Sequence, residues 1–407
     1  MLVRPSLAIV LATITAVTVS ACSAASNTPP AETPAPSTAS ATPVSLPVAE
    51  VFDAPAWGIR FSEAAAHKRP LVTAQRLIML DGQQVRALDA QGKDAWATPW
   101  EGFTDEARSK GSDGYPLLRQ VSPDVVAVVD GGTAQGDGLN KDTGQVKVTL
   151  MKVQDGSLIK QVTIPGTPSQ IPQIGSLGLG FALPQGGVSA ITPDGDVVDA
   201  PTVRSMKTTS GISVGRTGMS VWESGGSDAA SGFSGPGWDS RTSGPGPRFT
   251  SASVLASDAD RLLVGRWVVP SVSTKEVQIQ VLEAPTGKVL SKPSCEPRTA
   301  APLVSSPARS WQVLGPMRLD SAGKATCFGG GSGQKTVTLT AVTDAGRAFG
   351  MASADGSQAL FLDLAPNGDI TTLAMPEGAE LPIGVMDGDI AIHWDSNEAI
   401  VTGNKIH

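Results

Sequence analysis

From about residue 76 to its end the chain repeats one local pattern. A short run of alternating apolar and polar residues leads into a tight turn of Asp, Asn, Pro and Gly, and a second short run follows. Arg76-Leu-Ile-Met-Leu-Asp-Gly-Gln-Gln-Val-Arg-Ala-Leu-Asp89 and Val277-Gln-Ile-Gln-Val-Leu-Glu-Ala-Pro-Thr-Gly-Lys-Val-Leu290 are two such units. Gly187 to Val198 and Ala359 to Thr371 are two more. Alternation with period two between Gly-centred turns specifies antiparallel hairpins. Gly82, Gly92, Gly156, Gly195, Gly287, Gly346 and Gly368 stand where such turns ask for positive φ. Pro and Gly recur too often for helices of ordinary length, and only Ser62 to Lys68 reads as a short helix. The chain is therefore expected to be all-β.

The hairpin units recur every 40 to 55 residues or so, with natural cuts near Ala66, Tyr115, Gln170, Met206, Thr250, Ala301 and Ala352. Four-stranded units of that size, repeated, imply a β-propeller, whose radial repetition leaves only short, protected edges. Residues 49–407 form the expected propeller domain, with about seven blades and with six or eight left open. The stretch 223–251 breaks the pattern, being rich in Gly, Ser and Pro. It reads as a loop projecting from a blade, either a bare insertion or a contact loop with Trp238 and Phe233 as aromatic anchors.

The N-terminal segment is of another kind. Arg4 precedes an uncharged apolar run, Leu7 to Val19, which ends in the small residues Ser20 and Ala21. Thirteen helical residues span about 20 Å, short of the roughly 20 residues a membrane-crossing helix needs. Residues 1–21 are thus expected to be an export signal. Val19-Ser20-Ala21-Cys22 resembles the bacterial lipobox, with Val where Leu is commonest. That resemblance implies a diacylglyceryl (and palmitate-bearing) Cys22 at the start of the mature chain, two acyl chains being enough for stable anchoring. Residues 22–48 follow as an expected disordered tether, carrying six prolines and one charge, Glu32, after the cysteine. The implied location is the extracytoplasmic side of the cell membrane.

Leu77-Ile-Met-Leu-Asp-Gly-Gln-Gln-Val-Arg-Ala-Leu-Asp-Ala-Gln-Gly-Lys-Asp-Ala-Trp96 resembles a blade of the PQQ-like, quinoprotein-type propellers. Gly82, Ala87, Leu88, Asp89, Gly92, Lys93 and Trp96 carry the likeness. Weaker copies surround Gly156, Gly287 and Gly346 but lack the Trp. The resemblance implies the fold and an interblade place for Trp96. It does not extend to the quinone, because quinoprotein dehydrogenases hold that group under adjacent cysteines and this chain has none. No cofactor is expected.

Three cysteines occur in all. With Cys22 lipidated, Cys295 and Cys327 are expected to pair in a compartment that permits disulfides. The three histidines, His67, His393 and His407, are scattered and show neither triad nor zinc spacing. His393 reads as a half-buried strand residue rather than a base. Asp137 to Gly144 and Asp387-Gly-Asp389 read as turns, since neither matches a calcium loop. The formal net charge of −7 and the lack of any basic cluster longer than His67-Lys68-Arg69 argue against nucleic acid. The sequence thus points to a lipid-anchored propeller that binds a protein or glycan on its top face as a non-catalytic scaffold. The competing reading is a surface hydrolase or lyase working on an envelope polysaccharide through funnel carboxylates.

Overall fold

A computed structural model describes residues 44–66, 68–108, 116–134, 143–165, 179–182, 188–199, 208–215, 218–224, 232–235, 237–239, 251–258, 260–269, 276–297, 301–329, 335–353 and 359–407. Cys22 with the leader and most of the tether, His67, and most of the 137–144 turn lie outside these residues. Every sheet is antiparallel, and the described strands form seven four-stranded blades and one three-stranded sheet. In chain order blades 1 to 7 cover 71–99, 117–165, 179–199, 208–239, 251–291, 303–327 and 336–374. Blade 3 is the three-stranded one. Blade 8 takes three strands from 382–406 and its outermost strand, Phe52–Arg60, from the other end of the chain. Trp57 pairs with Gly403 and Arg60 with Ile400, so the two ends clasp each other and close the ring.

The turns are built as the sequence predicts. Asp81 pairs with Gln84 across a two-residue connection in which Gly82 has φ 63°. In the next turn the Asp89 Oδ1 accepts from the N–H groups of Gln91 and Lys93, both at 2.9 Å, and Gly92 has φ 74°. Asp320 locks the equivalent turn in blade 6 with the N–H groups of Ala322 and Lys324, again at 2.9 Å. Short polar side chains that bond their own backbone in this way explain why Asp opens so many of these turns.

Packing is organised between blades. Ile78, Leu80 and Val85 of blade 1 meet Val126, Val128 and Met151 of blade 2 in one buried cluster. Similar clusters fill the spaces between blades 2 and 3, 4 and 5, 5 and 6, 6 and 7, 7 and 8, and 8 and 1. A tryptophan from one blade covers the turn glycine of the next. Trp57 lies on Gly92, Trp96 on Gly156, Trp238 on Gly287 and Trp311 on Gly346. A Cβ at Gly156 would stand 2.5 Å from the Trp96 ring, which is why the turn carries no side chain. Three of the indoles also donate across the gap: Trp57 to Ala90 O at 2.9 Å, Trp96 to Val153 O at 3.0 Å and Trp238 to Ala284 O at 2.9 Å. Trp96 has the interblade place that the family resemblance implied. After the weaker copies at Gly156 and Gly287, which lack a Trp, Lys160 and Leu290 lie instead on the turn glycines Gly195 and Gly323 of the blades that follow.

Three details differ from the sequence reading. The cut near Ala352 falls inside the strand Ala348–Ser353, because residues 301–407 contribute to three blades rather than two. Blade 6 is compact, with strands of three or four residues, and this shortens the local repeat. The expected loop 223–251 contains strands Gly232–Gly235 and Trp238–Asp239, the two outer strands of blade 4. Ser62 to Lys68 contains a single 3-10 turn, Glu63–Ala65.

Candidate functional site: the central channel

The first strand of each blade lies nearest the axis, and the axis is open. Strands Leu71–Val72, Leu117–Ser122, Ser251–Ser257, Leu303–Ser305 and Pro382–Met386 contribute to the wall of a cavity of about 340 Å³. That is the size of a small-molecule site. Three arginines, Arg69, Arg119 and Arg309, belong to its lining, and no Asp, Glu, His, Cys, Lys or Tyr does among the described residues. Leu71, Val72, Val304 and Ile383 add half-buried apolar surface.

Each arginine is delivered by a different device. Arg69 precedes Pro70 at the entrance to the first strand of blade 1, where the chain enters from the clasp strand. Its side chain is reached by solvent yet enclosed by protein, and that enclosure lowers its pKa from the ordinary arginine value. Arg69 makes no hydrogen bond or ion pair among the described residues. Arg119 sits on the first strand of blade 2 and donates to Leu118 O at 3.1 Å. Arg309 lies in the first turn of blade 6, where its N–H donates to Ser306 O at 2.9 Å. Its φ is 58°, a left-handed conformation that the comparable turns give to glycine, as at Gly92, Gly323 and Gly346. An L residue there costs roughly 1–2 kcal/mol.

Behind Arg309 stands a buried carboxylate. Asp258, 1 % exposed, pairs with the Arg309 guanidinium, accepts from Gln312 Nε2 at 2.6 Å and lies 3.8 Å from Arg261 Nη1. Arg261 Nη1 also donates to Arg309 O at 2.8 Å. Two guanidiniums share this carboxylate, and a second one, Asp344, accepts from the Ala308 N–H beside Arg309 at 2.8 Å. Burial lowers the pKa of both Arg261 and Arg309.

The residues singled out from sequence have other places. Cys295 and Cys327 form a disulfide, with Cα atoms 5.7 Å apart. Phe233 is buried edge-on to Trp267 at 4.9 Å, and Trp238 is held between Gly235 and Gly287. Both aromatic side chains are therefore committed to packing around blade 4 and do not form a projecting anchor. Asp387-Gly-Asp389 is a turn with Gly388 at φ 80° and Asp389 at φ 56°. Among the described residues no three His, Cys, Asp or Glu side chains are grouped to hold a metal ion. The channel does not fit a calcium-bound quinone either, because its described lining offers neither carboxylate nor cysteine. Sequence reasoning missed the channel arginines. The available signals were the His67-Lys68-Arg69 triplet and an arginine where sibling turns place glycine.

His393 is fully buried in the strand Ile390–Asp395, edge-on to Phe52 at 4.8 Å. Neither ring nitrogen reaches hydrogen-bonding geometry. Burial lowers its pKa to about 4, with Asn404 only partly offsetting the effect. The unfolded chain, with an ordinary histidine pKa near 6.5, then takes up this proton first. The stabilising contribution is complete above about pH 6.5 and is lost as the pH falls towards 4, by roughly 2–3 kcal/mol. Urea midpoints measured from pH 7.5 to 4.5 are expected to fall more steeply for wild type than for His393→Leu. Parallel curves would remove His393 as the cause.

No family model matches the sequence, and no curated relative matches it. Solved structures with a similar fold include the computationally designed Ika8 protein, at 12% identity, covering 84% of this chain and 98% of that one with a TM-score of 0.44. The β-propeller domain of Myceliophteria thermophila Cps50 (Swd1) matches at 10% identity over 86% of this chain and 98% of its own, with a TM-score of 0.42. BamB from Moraxella catarrhalis matches at 12% identity over 86% of this chain and 96% of its own, with a TM-score of 0.37. At such identities the likeness concerns the fold alone, and the roles of those proteins are not carried over.

Proposed function

We propose that this protein is a lipid-anchored, extracytoplasmic β-propeller that serves as a non-catalytic binding or scaffold module for an envelope protein. The observation that carries the reading is the central channel, a half-open, arginine-bearing recess in a chain of net charge −7. A recess that concentrates positive charge in an acidic protein attracts and orients an acidic partner group. The Cys295–Cys327 bond is consistent with an oxidising compartment. Glycoside hydrolysis asks for two carboxyl groups flanking the bond, and none belongs to the described channel lining.

Two experiments test the reading. Immobilised wild type is expected to recover one envelope protein in stoichiometric yield from native membranes, and Arg69→Glu to lose it. Recovery by neither protein refutes the scaffold role, and equal recovery by both moves the partner site away from the channel. For the anchor, Cys22→Ser is expected to shift the protein from the membrane fraction to the soluble fraction after export. Retention of that variant on the membrane would refute lipidation at Cys22.

A further inference from the structure

We infer that the channel is a site for a small amphipathic organic anion, a carboxylate or phosphate head on an apolar body. The inference uses the recess described above but not its protein partner, so the two can fail separately.

Four observations support it. Arg69 is an exposed residue in the lining of a half-open cavity, with no counter-ion of its own among the described residues. Arg119 and Arg309 stand in the same lining, and the carboxylate nearest Arg309, Asp258, is already shared with Arg261. The planar guanidinium is the side chain best matched to an oxyanion. The left-handed backbone at Arg309 is the second independent sign. Five other turn glycines, Gly92, Gly195, Gly323, Gly346 and Gly368, take positive φ without side-chain strain. Keeping an arginine in such a position opposes local stability, and strain of this kind clusters at ligand sites. Apolar side chains, Leu71, Val72, Val304 and Ile383, complete the wall and leave half-buried surface that water covers poorly. A purely inorganic ion would leave that surface uncovered, and a neutral apolar molecule would leave Arg69 without an anionic partner.

The test is calorimetric titration of the full chain with octanoate, octyl phosphate and, as the uncharged control, octanol. One of the two anions is expected to bind with 1:1 stoichiometry and octanol about tenfold or more weakly, one charged hydrogen bond being worth at least that factor. Tighter octanoate identifies a carboxylate ligand, and tighter octyl phosphate a phosphate ligand. Arg69→Gln and Arg309→Gly are each expected to weaken the anion about tenfold. Arg309→Gly suits the turn but leaves the buried Asp258 with Arg261 at 3.8 Å, so Arg69→Gln, which strands no described partner, is the variant that separates lost charge from lost structure. Thermal unfolding of each free variant checks that separation. Binding of neither anion, equal binding of octanol, or unchanged affinity in both variants overturns the proposal. Binding of hexaglutamate in place of both octyl anions also overturns it and makes the channel a receptor for an acidic peptide.

Discussion

Replacing Asp130 by alanine is expected to lower the stability of the propeller by about 3–5 kcal/mol, the cost of stranding one half of a buried ion pair. Asp130 lies in the second strand of blade 2 and is 1 % exposed. Arg108 grips it with two bonds, Nε to Oδ1 at 2.9 Å and Nη2 to Oδ2 at 3.0 Å. The Phe103 N–H donates to Oδ2 at 2.7 Å, and Arg108 Nη2 returns to Phe103 O at 2.7 Å. One carboxylate thus holds the connection from blade 1 to blade 2 near its start, at Phe103, and near its middle, at Arg108. The hydrogen bonds to Asp130 raise the Arg108 pKa, a sign that the pair favours the charged guanidinium. Desolvation and the neighbouring Arg108 charge lower the Lys68 pKa while Asp130 raises it, so removing the carboxylate leaves two neighbouring cations without the charge that offsets them. Without the carboxylate, the Phe103 N–H loses its acceptor and Arg108 loses its charge partner. Urea denaturation is the measurement, read as a shift in midpoint at constant slope. A loss below about 1 kcal/mol would class this pair with exposed surface bridges.

Reduction of the Cys295–Cys327 bond is expected to cost about 3–4 kcal/mol in the chain-entropy treatment of a closed loop this long. The two cysteines are 32 positions apart, and the Cys295 N–H donates to the Cys327 sulfur at 3.1 Å. Cys327 ends the outermost strand of blade 6, and Cys295 follows the outermost strand of blade 5. Each of those strands has three residues, so each has few ladder bonds with which to resist fraying. The bond therefore fastens the rims of two blades whose own edges are weak. Oxidised wild type should unfold at higher urea than reduced wild type, while the Cys295→Ala/Cys327→Ala double variant should ignore reductant. Equal midpoints for the oxidised and reduced protein would show that the loop is already restrained in the unfolded chain.

The strand-and-turn pattern was legible in the sequence because it rests on local chemistry. Gly82, Gly92 and Gly156 announce positive φ, and Asp89 bonds its own turn. Trp96 was legible through its likeness to a known kind of blade. Pairings that cross between blades were hidden, because Trp96 and Gly156 belong to different repeats and nothing local links them. Blade 6 was hidden by brevity, since strands of three and four residues barely establish alternation. Trp238 misled for a related reason. Set among Gly, Ser and Pro it reads as a loop aromatic, yet its packing surface, Gly287, comes from the next blade. The channel was the least legible part. Arg69, Arg119 and Arg309 lie far apart in sequence and meet only when the ring brings the first strands of their blades to one axis.

The clasp of blade 8 also sets an order of assembly. Phe52 pairs with Ile406, its partner 354 residues later. Bringing such distant ends together in a flexible chain costs about 5 kcal/mol of loop entropy, and much less once the intervening blades have curved the chain back on itself. Pairing at this sequence separation is the kind that forms late and slowly. Until the Ile400–Ile406 strand reaches it, the Phe52–Arg60 strand keeps one edge unmatched. Those last seven strand residues, Ile400–Ile406, convert an open spiral of hairpins into a ring. Ring closure, and with it the completion of the channel wall, is thus expected late among the pairings of the described strands.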